Sequence, residues 1–382
     1  MINSLKFLVM TLLMRLSQAS KVFYAVLTNQ ISYYPKSVKL FEKKFKEATN
    51  TAHSLMFANA TSAMEAALFA GGVVENANVG TTAFVIPSSY SSVKSLGANV
   101  KYLDVDLNSL NFNLDGLAQK GSKLFALIVT HFYGNPCDME RIMAWATKNG
   151  VFVVEDCSHA HGASFKGRPI GSWGHVGVFS LQGAKAIAAG EGAVVISNDA
   201  ELTLRMAAYG HQESYRKFGI DVDDDLNLPS FGFGKKMRAH PLGAILALED
   251  LQRLAYKNEI FTSWVQEIKD IADMNGSFKL PEVLSLGKRA GFCQGIPLIL
   301  ESEFSALELK EMLLKVKINC FMRDYTQNIM DYSDFNSGLE VEKALPNTCM
   351  SFSQVLFIPF YQFILPWRWF RLKSVLRGWR NE

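Results

Sequence analysis

The chain has 382 residues, of which 49% are hydrophobic and 20% are charged. This composition is typical of a globular protein, and the length suffices for a large core divided between two domains. The formal net charge of +3 is far below the basic excess of nucleic-acid-binding proteins, so no nucleic-acid partner is predicted.

An apolar segment opens the chain. Residues 7–14 are uncharged and lie between Lys6 and Arg15. They fall far short of the roughly 20 residues that span a bilayer, and Arg15 stands where a signal peptide would need small residues. Leucines recur at helical spacing between residues 5 and 16, which predicts an amphipathic helix. We assign residues 1–34 to an apolar N-terminal helical extension, which could pack on the protein, on a partner subunit or on a membrane surface.

From residue 35 onward the sequence alternates between helical and strand patterns. Helices are predicted at residues 38–48, 61–70, 139–149 and 241–256. Buried strands are predicted at residues 54–57, 81–86, 100–103, 124–131, 151–155, 176–180 and 193–197. Because the strands are continuously apolar and helices separate them, they predict a mostly parallel sheet that is covered on both faces. Residues 35–256 are therefore predicted to form a large α/β domain.

A smaller C-terminal α+β domain is predicted for residues 257–382. It contains a helix at 303–317, an apolar strand near 355–359 and a final segment rich in tryptophan and arginine. We favour the interpretation that this final segment is a helix packed on the small domain with its basic residues outward. The alternative is that it attaches, together with the N-terminal helix, to an anionic membrane surface.

The sequence shows no metal ligands at an established spacing. Its histidines lack such a spacing, and the acidic loop at residues 221–225 has neither the spacing nor the clear glycine turn of an EF-hand. This loop is interpreted as a solvated surface turn, and no metal site is predicted.

Two predicted strands that follow one another in the sequence lead into polar side chains that could act together in one site. The strand at 151–155 leads into Asp156, and His159 follows three residues later. The next strand ends at Ser180, and Lys185 follows in a loop that closes with a Gly-Glu-Gly turn. An aspartate at the end of an internal strand would be poorly hydrated, so its charge calls for a cationic partner.

This order of residues resembles the DegT/DnrJ/EryC1/StrS family of pyridoxal-phosphate-dependent sugar aminotransferases. Further segments are similar to motifs of the same family, and they lie at residues 133–139, 162–172, 345–348 and 356–360. The first of them reads Tyr-Gly-Asn-Pro-Cys-Asp-Met, and the resemblance extends from about residue 37 to the end of the chain. It implies the aspartate-aminotransferase-like fold, which is fold type I of the pyridoxal-phosphate enzymes.

Pyridoxal phosphate requires a lysine amine that holds it, an acid beside its pyridine nitrogen and an anion site for its phosphate. The resemblance assigns Lys185 and Asp156 to the first two tasks, and it places His159 near the hydroxyl group of the ring. The start of a helix offers free amide groups to a phosphate. The residues predicted to bind the phosphate are Ala60, Thr61, Ser62 and Ser180.

Three positions depart from the family pattern. Ala60 stands where the family carries a glycine, which is tolerable if the residue keeps a negative φ. Lys236 takes the place of an asparagine that reaches the phosphate bound by the neighbouring subunit. It could serve there as a point charge, or it could be an ordinary surface lysine. At the position of the aromatic residue that stacks on the ring the chain carries Ile86, and Tyr90 is the alternative.

The resemblance implies a cytoplasmic homodimer whose active sites are shared between the subunits. Its reaction would move an amino group from an amino acid, glutamate in most of the family, to a keto sugar that is usually linked to a nucleotide. Lys185 would carry the proton to and from the substrate carbon. Such reactions serve the biosynthesis of cell-surface polysaccharides or secondary metabolites.

Two alternatives stay open. One is a pyridoxal-phosphate-dependent sugar dehydratase, although that branch carries a histidine at the position of Lys185. The other is a non-catalytic protein that binds the cofactor and associates peripherally with the inner face of the membrane. Amine transfer from glutamate to a keto acceptor would distinguish this second alternative from the aminotransferase.

Overall fold

The computed structural model describes residues 2–31, 36–119, 123–211, 235–291, 294–333, 335–360 and 366–379. The acidic loop at residues 221–225 lies outside these ranges. The helices of the described chain are α1 Ile2–Leu27, α2 Lys36–Thr49, α3 Ala60–Ala70, α4 Ser88–Lys94, α5 Leu114–Gln119, α6 Met139–Asn149, α7 Ala200–Gly210, α8 Pro241–Gln252, α9 Leu254–Asn275, α10 Glu303–Lys315, α11 Thr326–Asp331, α12 Gly338–Ala344, α13 Pro346–Gln354 and α14 Pro366–Gly378. The strands are β1 His53–Phe57, β2 Asn78–Thr82, β3 Asn99–Leu103, β4 Ala126–Thr130, β5 Phe152–Asp156, β6 Ser164–Phe165, β7 Arg168–Pro169, β8 Val176–Ser180, β9 Ala193–Ser197, β10 Gly287–Lys288, β11 Gly295–Ile299 and β12 Val355–Pro359.

A seven-stranded sheet forms the centre of the molecule, in the order β1-β9-β8-β5-β4-β2-β3. Neighbouring strands from β3 through β2, β4 and β5 to β8 run parallel to one another. Strand β9 is antiparallel to both of its neighbours. The mostly parallel α/β architecture predicted from the sequence is confirmed.

Helices cover both faces of this sheet, because alternate residues of a strand enter two different hydrophobic clusters. Ile128 of β4 lies in the cluster that includes α3, α4 and α7, whereas Leu127 lies in the cluster that includes α2, α6 and α8. Val195 and Val194 of β9 divide in the same way. Successive side chains of a strand point to opposite faces of the sheet, so each strand contributes to both hydrophobic clusters. This explains why these strands are apolar throughout.

The strand predicted at residues 81–86 is displaced in the structure. Strand β2 pairs with β3 only as far as Thr82, and the chain then leaves the sheet. Phe84 and Ile86 line a cavity beyond the strand ends. Phe84 is buried there, whereas Ile86 stays 37% exposed. Period and composition do not distinguish such an apolar segment beside a cavity from a strand.

The helix predicted at 241–256 ends earlier than expected. Helix α8 stops at Gln252, and Arg253, with φ −109° and ψ 4°, separates it from the much longer α9. Gly276, with φ +70°, ends α9 in the left-handed conformation that favours glycine. The predicted domain boundary between residues 256 and 257 falls in the first turn of α9 and stays a prediction.

The N-terminal helix α1 packs on α8 and α9. Phe7 lies edge-on to Phe261, with ring centroids 5.0 Å apart. Ser17 donates a hydrogen bond of 2.9 Å to Glu249, and Lys21 forms an ion pair with the same carboxylate. One face of α1 therefore packs on the protein. This agrees with one of the three partners predicted for the N-terminal segment. The opposite face exposes a row of large apolar side chains, namely Val9, Leu12, Leu13, Leu16, Phe23 and Leu27.

The C-terminal region contains the two-stranded sheet of β11 and β12 together with the last five helices. Strand β12 coincides with the strand predicted near residues 355–359. In α14, Leu372 and Leu376 are buried, and Trp369 stacks on Trp264 with ring centroids 5.0 Å apart. This supports the interpretation that the final helix packs on the protein, although Trp367 stays 54% exposed.

Candidate active site

A cavity of about 260 Å³ opens beyond the ends of the central strands. Asp156 is the last residue of β5 and Ser180 the last residue of β8, so both reach the same edge of the sheet. His159 and Lys185 follow these strands and line the same cavity. Ligands bind at this edge in open α/β sheets, and the structure brings together four of the residues singled out in the sequence.

Lys185 lies in the loop between β8 and β9, and its side chain is buried. Its Nζ lies 3.5 Å from Oε1 of Gln294. Burial lowers the pKa of Lys185 to about 8, while the charge of Asp156 acts in the opposite direction and that of Arg323 adds to the lowering. A substantial fraction of this amine is therefore neutral near pH 8 and able to act as a nucleophile or a base.

A buried ion pair holds the loop that carries Lys185. Lys257 donates hydrogen bonds to the carbonyl of Ala186, at 2.5 Å, and to Asp250, at 3.1 Å. The other carboxylate oxygen of Asp250 accepts the amide of Ala188 at 2.8 Å. These two helix residues thus fix the backbone immediately after the lysine. The sequence carries no signal for this contact, because 71 residues separate Lys257 from Ala186.

Asp156 is buried and held by two hydrogen-bond donors. The hydroxyl of Ser89 donates to Oδ2 at 3.0 Å, and the amide of Ser158 donates to Oδ1 at 3.1 Å. Within the described ranges no cation forms an ion pair with this carboxylate. Because a buried carboxylate without a counter-charge is costly, the arrangement suits a ligand that brings a positive charge to Asp156.

His159 faces the cavity beside Tyr133, with ring centroids 4.8 Å apart. Burial lowers the pKa of His159 well below its ordinary value, and the charges of Lys185 and Arg323 lower it further. The imidazole is therefore neutral at physiological pH. Its buried Nε2 has no hydrogen-bond partner among the residues that the structure describes, which leaves it available to a polar group of a ligand.

The start of α3 forms another wall of the cavity. Asn59 caps this helix by accepting the amide of Ser62 at 2.8 Å, and Asn59, Ala60 and Thr61 line the cavity together with Ser180. Ala60 keeps a negative φ, so the missing glycine causes no backbone strain. First-turn amides have no partner inside their helix, so this end suits a phosphate. Ser62 is not among the lining residues, and its role in phosphate binding stays a prediction.

The two candidates for the ring-stacking position differ in location. Ile86 lines the cavity, whereas Tyr90 is fully buried outside it, edge-on to Tyr102 with ring centroids 5.3 Å apart. Lys236 is exposed and lies outside the cavity of its own chain. Its contact with a neighbouring subunit stays a prediction.

Sequence reasoning missed several polar residues of the cavity, and three of them come from separate parts of the chain. Ser89 comes from the start of α4, Gln294 from the approach to β11, and Arg323 from the segment before α11. Gln294 adopts φ +73°, a left-handed conformation that few residues other than glycine take. None of them belongs to a motif or a periodic element, so only the folded chain brings them to Lys185.

A second polar cluster, of His131, Glu155 and Cys157, is buried and includes a residue of β5. Glu155 accepts the amides of Gly171, Trp173 and Gly174 at 2.6–2.8 Å, and it contacts Nε2 of His131 at 3.0 Å. Four donors therefore satisfy this carboxylate. Through these bonds Glu155 fixes the turn at residues 171–174.

Comparisons with known proteins agree with this geometry. The model of the DegT/DnrJ/EryC1/StrS aminotransferase family matches residues 17–365. GDP-perosamine synthase of Escherichia coli O157:H7 is 31% identical over 241 residues, which cover 62% of this chain and 62% of that protein. The spore coat polysaccharide biosynthesis protein SpsC of Bacillus subtilis is 31% identical over 237 residues, or 59% of this chain and 58% of that protein. The matched region thus spans less than two thirds of these relatives.

Among solved structures, the aminotransferase from Psychrobacter cryohalolentis superimposes with a TM-score of 0.85 at 26% sequence identity. The superposition covers 94% of this chain and 95% of that structure. The similarity therefore includes both the central sheet and the C-terminal region.

Proposed function

The chain belongs to the DegT/DnrJ/EryC1/StrS aminotransferase family, and from this premise we propose that it is a pyridoxal-phosphate-dependent aminotransferase. It moves an amino group from an amino acid, glutamate, to a keto sugar linked to a nucleotide. One observation carries the proposal: a buried lysine with a pKa of about 8 shares a cavity with a buried aspartate that has no cationic partner in the described part of the chain. Relatives named for GDP- and UDP-linked sugars support a nucleotide-linked acceptor.

The residues present fit pyridoxal phosphate. The cofactor supplies an electron sink for the carbon that bears the amino group. Lys185 would hold it covalently, Asp156 would keep its ring nitrogen protonated, and Nε2 of His159 would contact its ring hydroxyl. The amides at the start of α3 and the hydroxyl of Ser180 would bind its phosphate.

Side chains of this protein transfer the proton and hold the reacting groups in place. Lys185, with its lowered pKa, takes a proton from the substrate carbon and returns it, because its amine exchanges protons readily near pH 8. Ser89 and the amide of Ser158 keep Asp156 oriented by hydrogen bonds to its two carboxylate oxygens. The ion pair of Asp250 and Lys257 holds the loop of Lys185 in place during both halves of the reaction.

We also propose a cytoplasmic homodimer with shared sites, acting in the biosynthesis of cell-surface polysaccharides. The exposure of Lys236 outside its own cavity supports a contact across the interface. In the described part of the chain, no helix is long and apolar enough to cross a membrane. The exposed apolar face of α1 is the observation that favours peripheral membrane contact instead.

The test is mass spectrometry of products from a panel of nucleotide-linked keto sugars, with L-glutamate as donor. We expect an amino sugar and an equal amount of 2-oxoglutarate from the wild-type protein, and neither from Lys185→Ala. A product that has lost water without gaining nitrogen would favour the dehydratase. The absence of both products over the whole panel would reject transfer to this class of acceptor.

A further inference from the structure

Helix α1 carries apolar side chains on two opposite faces. Successive residues of a helix are about 100° apart, so Phe7, Met14 and Ala25 share one face, and all three are buried. The other face holds eight large apolar side chains that are exposed, namely Val9, Leu12, Leu13, Leu16, Phe23, Tyr24, Val26 and Leu27. A helix that is apolar all round is normally buried, so the exposed face calls for a further partner.

The spacing of the exposed residues is that of a contact between two helices. Val9, Leu16 and Phe23 recur every seven residues, and leucine or valine follows after three or four residues in the first and the third repeat. A seven-residue repeat keeps one apolar seam on the same side of a helix, and such seams pack against a second helix. The pattern therefore favours a helical partner for this face.

Two small residues fill the middle of the seam. Ala19 and Ser20 occupy the positions where the other repeats carry large apolar side chains, and both are exposed. The hydroxyl of Ser20 donates to the carbonyl of Ser17 at 2.9 Å, so this donor is satisfied inside its own helix. Small side chains at a crossing point allow two helix axes to approach closely, to about 8–10 Å. The seam is thus bulky at both ends and narrow at its centre.

The charges of α1 do not suit an anionic membrane. The helix has no acidic residue, and between residues 7 and 27 its basic residues are Arg15 and Lys21. Lys21 forms an ion pair with Glu249, which leaves Arg15 for contact with lipid. Peripheral helices attach through many lysines and arginines together with an apolar face. The exposed face of α1 therefore fits a protein better than a membrane.

The size of the face matches a contact between two proteins. Its eight large side chains are between 48% and 69% exposed. Because a fully buried aromatic side chain covers about 150–250 Å², each of the eight contributes on the order of 100 Å². The total of roughly 800 Å² is the share that each partner brings to a stable interface of standard size. A second copy of this chain presents the same face, so the two faces are able to bury each other.

We propose that α1 packs antiparallel on α1 of a second copy of this chain, with a two-fold axis between Ala19 and Ser20. This axis brings the small residues together at the centre and sets Leu16 of each copy opposite Phe23 of the other. The antiparallel direction also places the positive end of each helix dipole beside the negative end of the other. None of the described residues of α1 lines the cavity of Lys185, so this contact does not rest on the proposed function.

The test measures the molar mass of the full chain by sedimentation velocity. Leu16→Glu puts a carboxylate into the seam from each copy, so we expect it to weaken the association by about 100-fold or more and to halve the molar mass. Phe304→Glu, which changes a 76% exposed residue of α10, is the control and should keep the wild-type mass. Circular dichroism checks that both variants are folded, and if Leu16→Glu is not, Leu12→Glu carries the test.

A second variant tests the direction of the helices. Leu16→Glu combined with Phe23→Lys sets opposite charges across both halves of the antiparallel contact, so we expect the double variant to regain the wild-type molar mass. In a parallel contact each residue would face its own copy. Like charges would then meet, and the added lysine would not restore the association.

Three outcomes would overturn the proposal. The first is a wild-type molar mass that Leu16→Glu leaves unchanged, and the second is a double variant that stays dissociated. The third is binding to phosphatidylserine liposomes that Leu16→Glu abolishes without changing the molar mass, which would assign the face to a membrane. If the homodimer with shared sites also forms, the wild-type protein is a tetramer and Leu16→Glu leaves a dimer, so the failure of either contact is seen separately.

Discussion

Lys257 and Asp250 form a buried ion pair, with 3.1 Å between Nζ and Oδ1, and both bind the backbone of the loop that carries Lys185. Burial lowers the pKa of Lys257, whereas Asp250 favours its charged form. The same ion pair therefore stabilises the fold and holds the loop that positions Lys185.

Breaking this pair should destabilise the protein strongly. We expect Lys257→Met to lower the free energy of unfolding by about 3–5 kcal/mol, because Asp250 is left buried without its cation. Denaturant unfolding followed by circular dichroism measures the loss. Lys269→Met breaks the exposed pair with Asp273 and is the matched control, with an expected loss of about 0.5 kcal/mol or less. Equal losses in the two variants would show that the buried pair has no special role.

Lys185 should be the residue that holds the cofactor. We expect borohydride to fix pyridoxal phosphate to the protein, and peptide mass spectrometry to find the label on Lys185. Lys185→Ala should stay folded and lose turnover by about 10²- to 10⁴-fold or more, because the covalent and proton-transfer roles disappear together. Lys44→Ala, which alters an exposed surface pair, is the control. A label on another lysine would reject the assignment.

The pKa of Lys185 gives a prediction for the protein without cofactor. Burial lowers this pKa from 10.5 to about 8, so the amine gains reactivity as the pH rises through 8. Acetylation of Lys185, followed against pH by mass spectrometry, should therefore be half-maximal near pH 8. In Asp156→Asn the midpoint should move below 8, because the carboxylate that favours the charged amine is gone. An upward or absent shift would contradict the electrostatic link between the two residues.

The sequence predicted the parts of the site that follow directly from strands. Asp156 and Ser180 end buried strands, so the apolar pattern located them and the parallel sheet brought them to one edge. Arg323 and Gln294 could not be found in this way, because they lie in irregular segments that only tertiary packing brings to the cavity. The displaced strand at residues 81–86 has a related cause, since burial beside a cavity and burial in a sheet select the same apolar residues.

A site shared between subunits makes a prediction for mixed dimers. If Lys236 reaches the phosphate bound by the neighbouring subunit, Lys236→Ala should lower the affinity for pyridoxal phosphate. A heterodimer of this variant with Lys185→Ala should regain one working site, since the site that contains Lys185 would receive Lys236 from the other subunit. The measurement is the specific activity of separately tagged subunits purified as heterodimers. Inactive heterodimers would reject a contact of Lys236 across the interface.

The last prediction concerns the two ends of the chain and a membrane surface. Helix α1 exposes Leu12 and Leu16, at 57% and 69%, but α14 uses Trp369 and Leu372 inside the protein. A single weak apolar anchor gives only marginal attachment, so we expect the protein to stay in the supernatant when it is sedimented with anionic liposomes at physiological salt. The comparison variant carries Leu12→Ser and Leu16→Ser. If the wild-type protein sediments in a salt-sensitive manner and this variant does not, α1 is a membrane contact and the interpretation of a freely cytoplasmic enzyme is wrong.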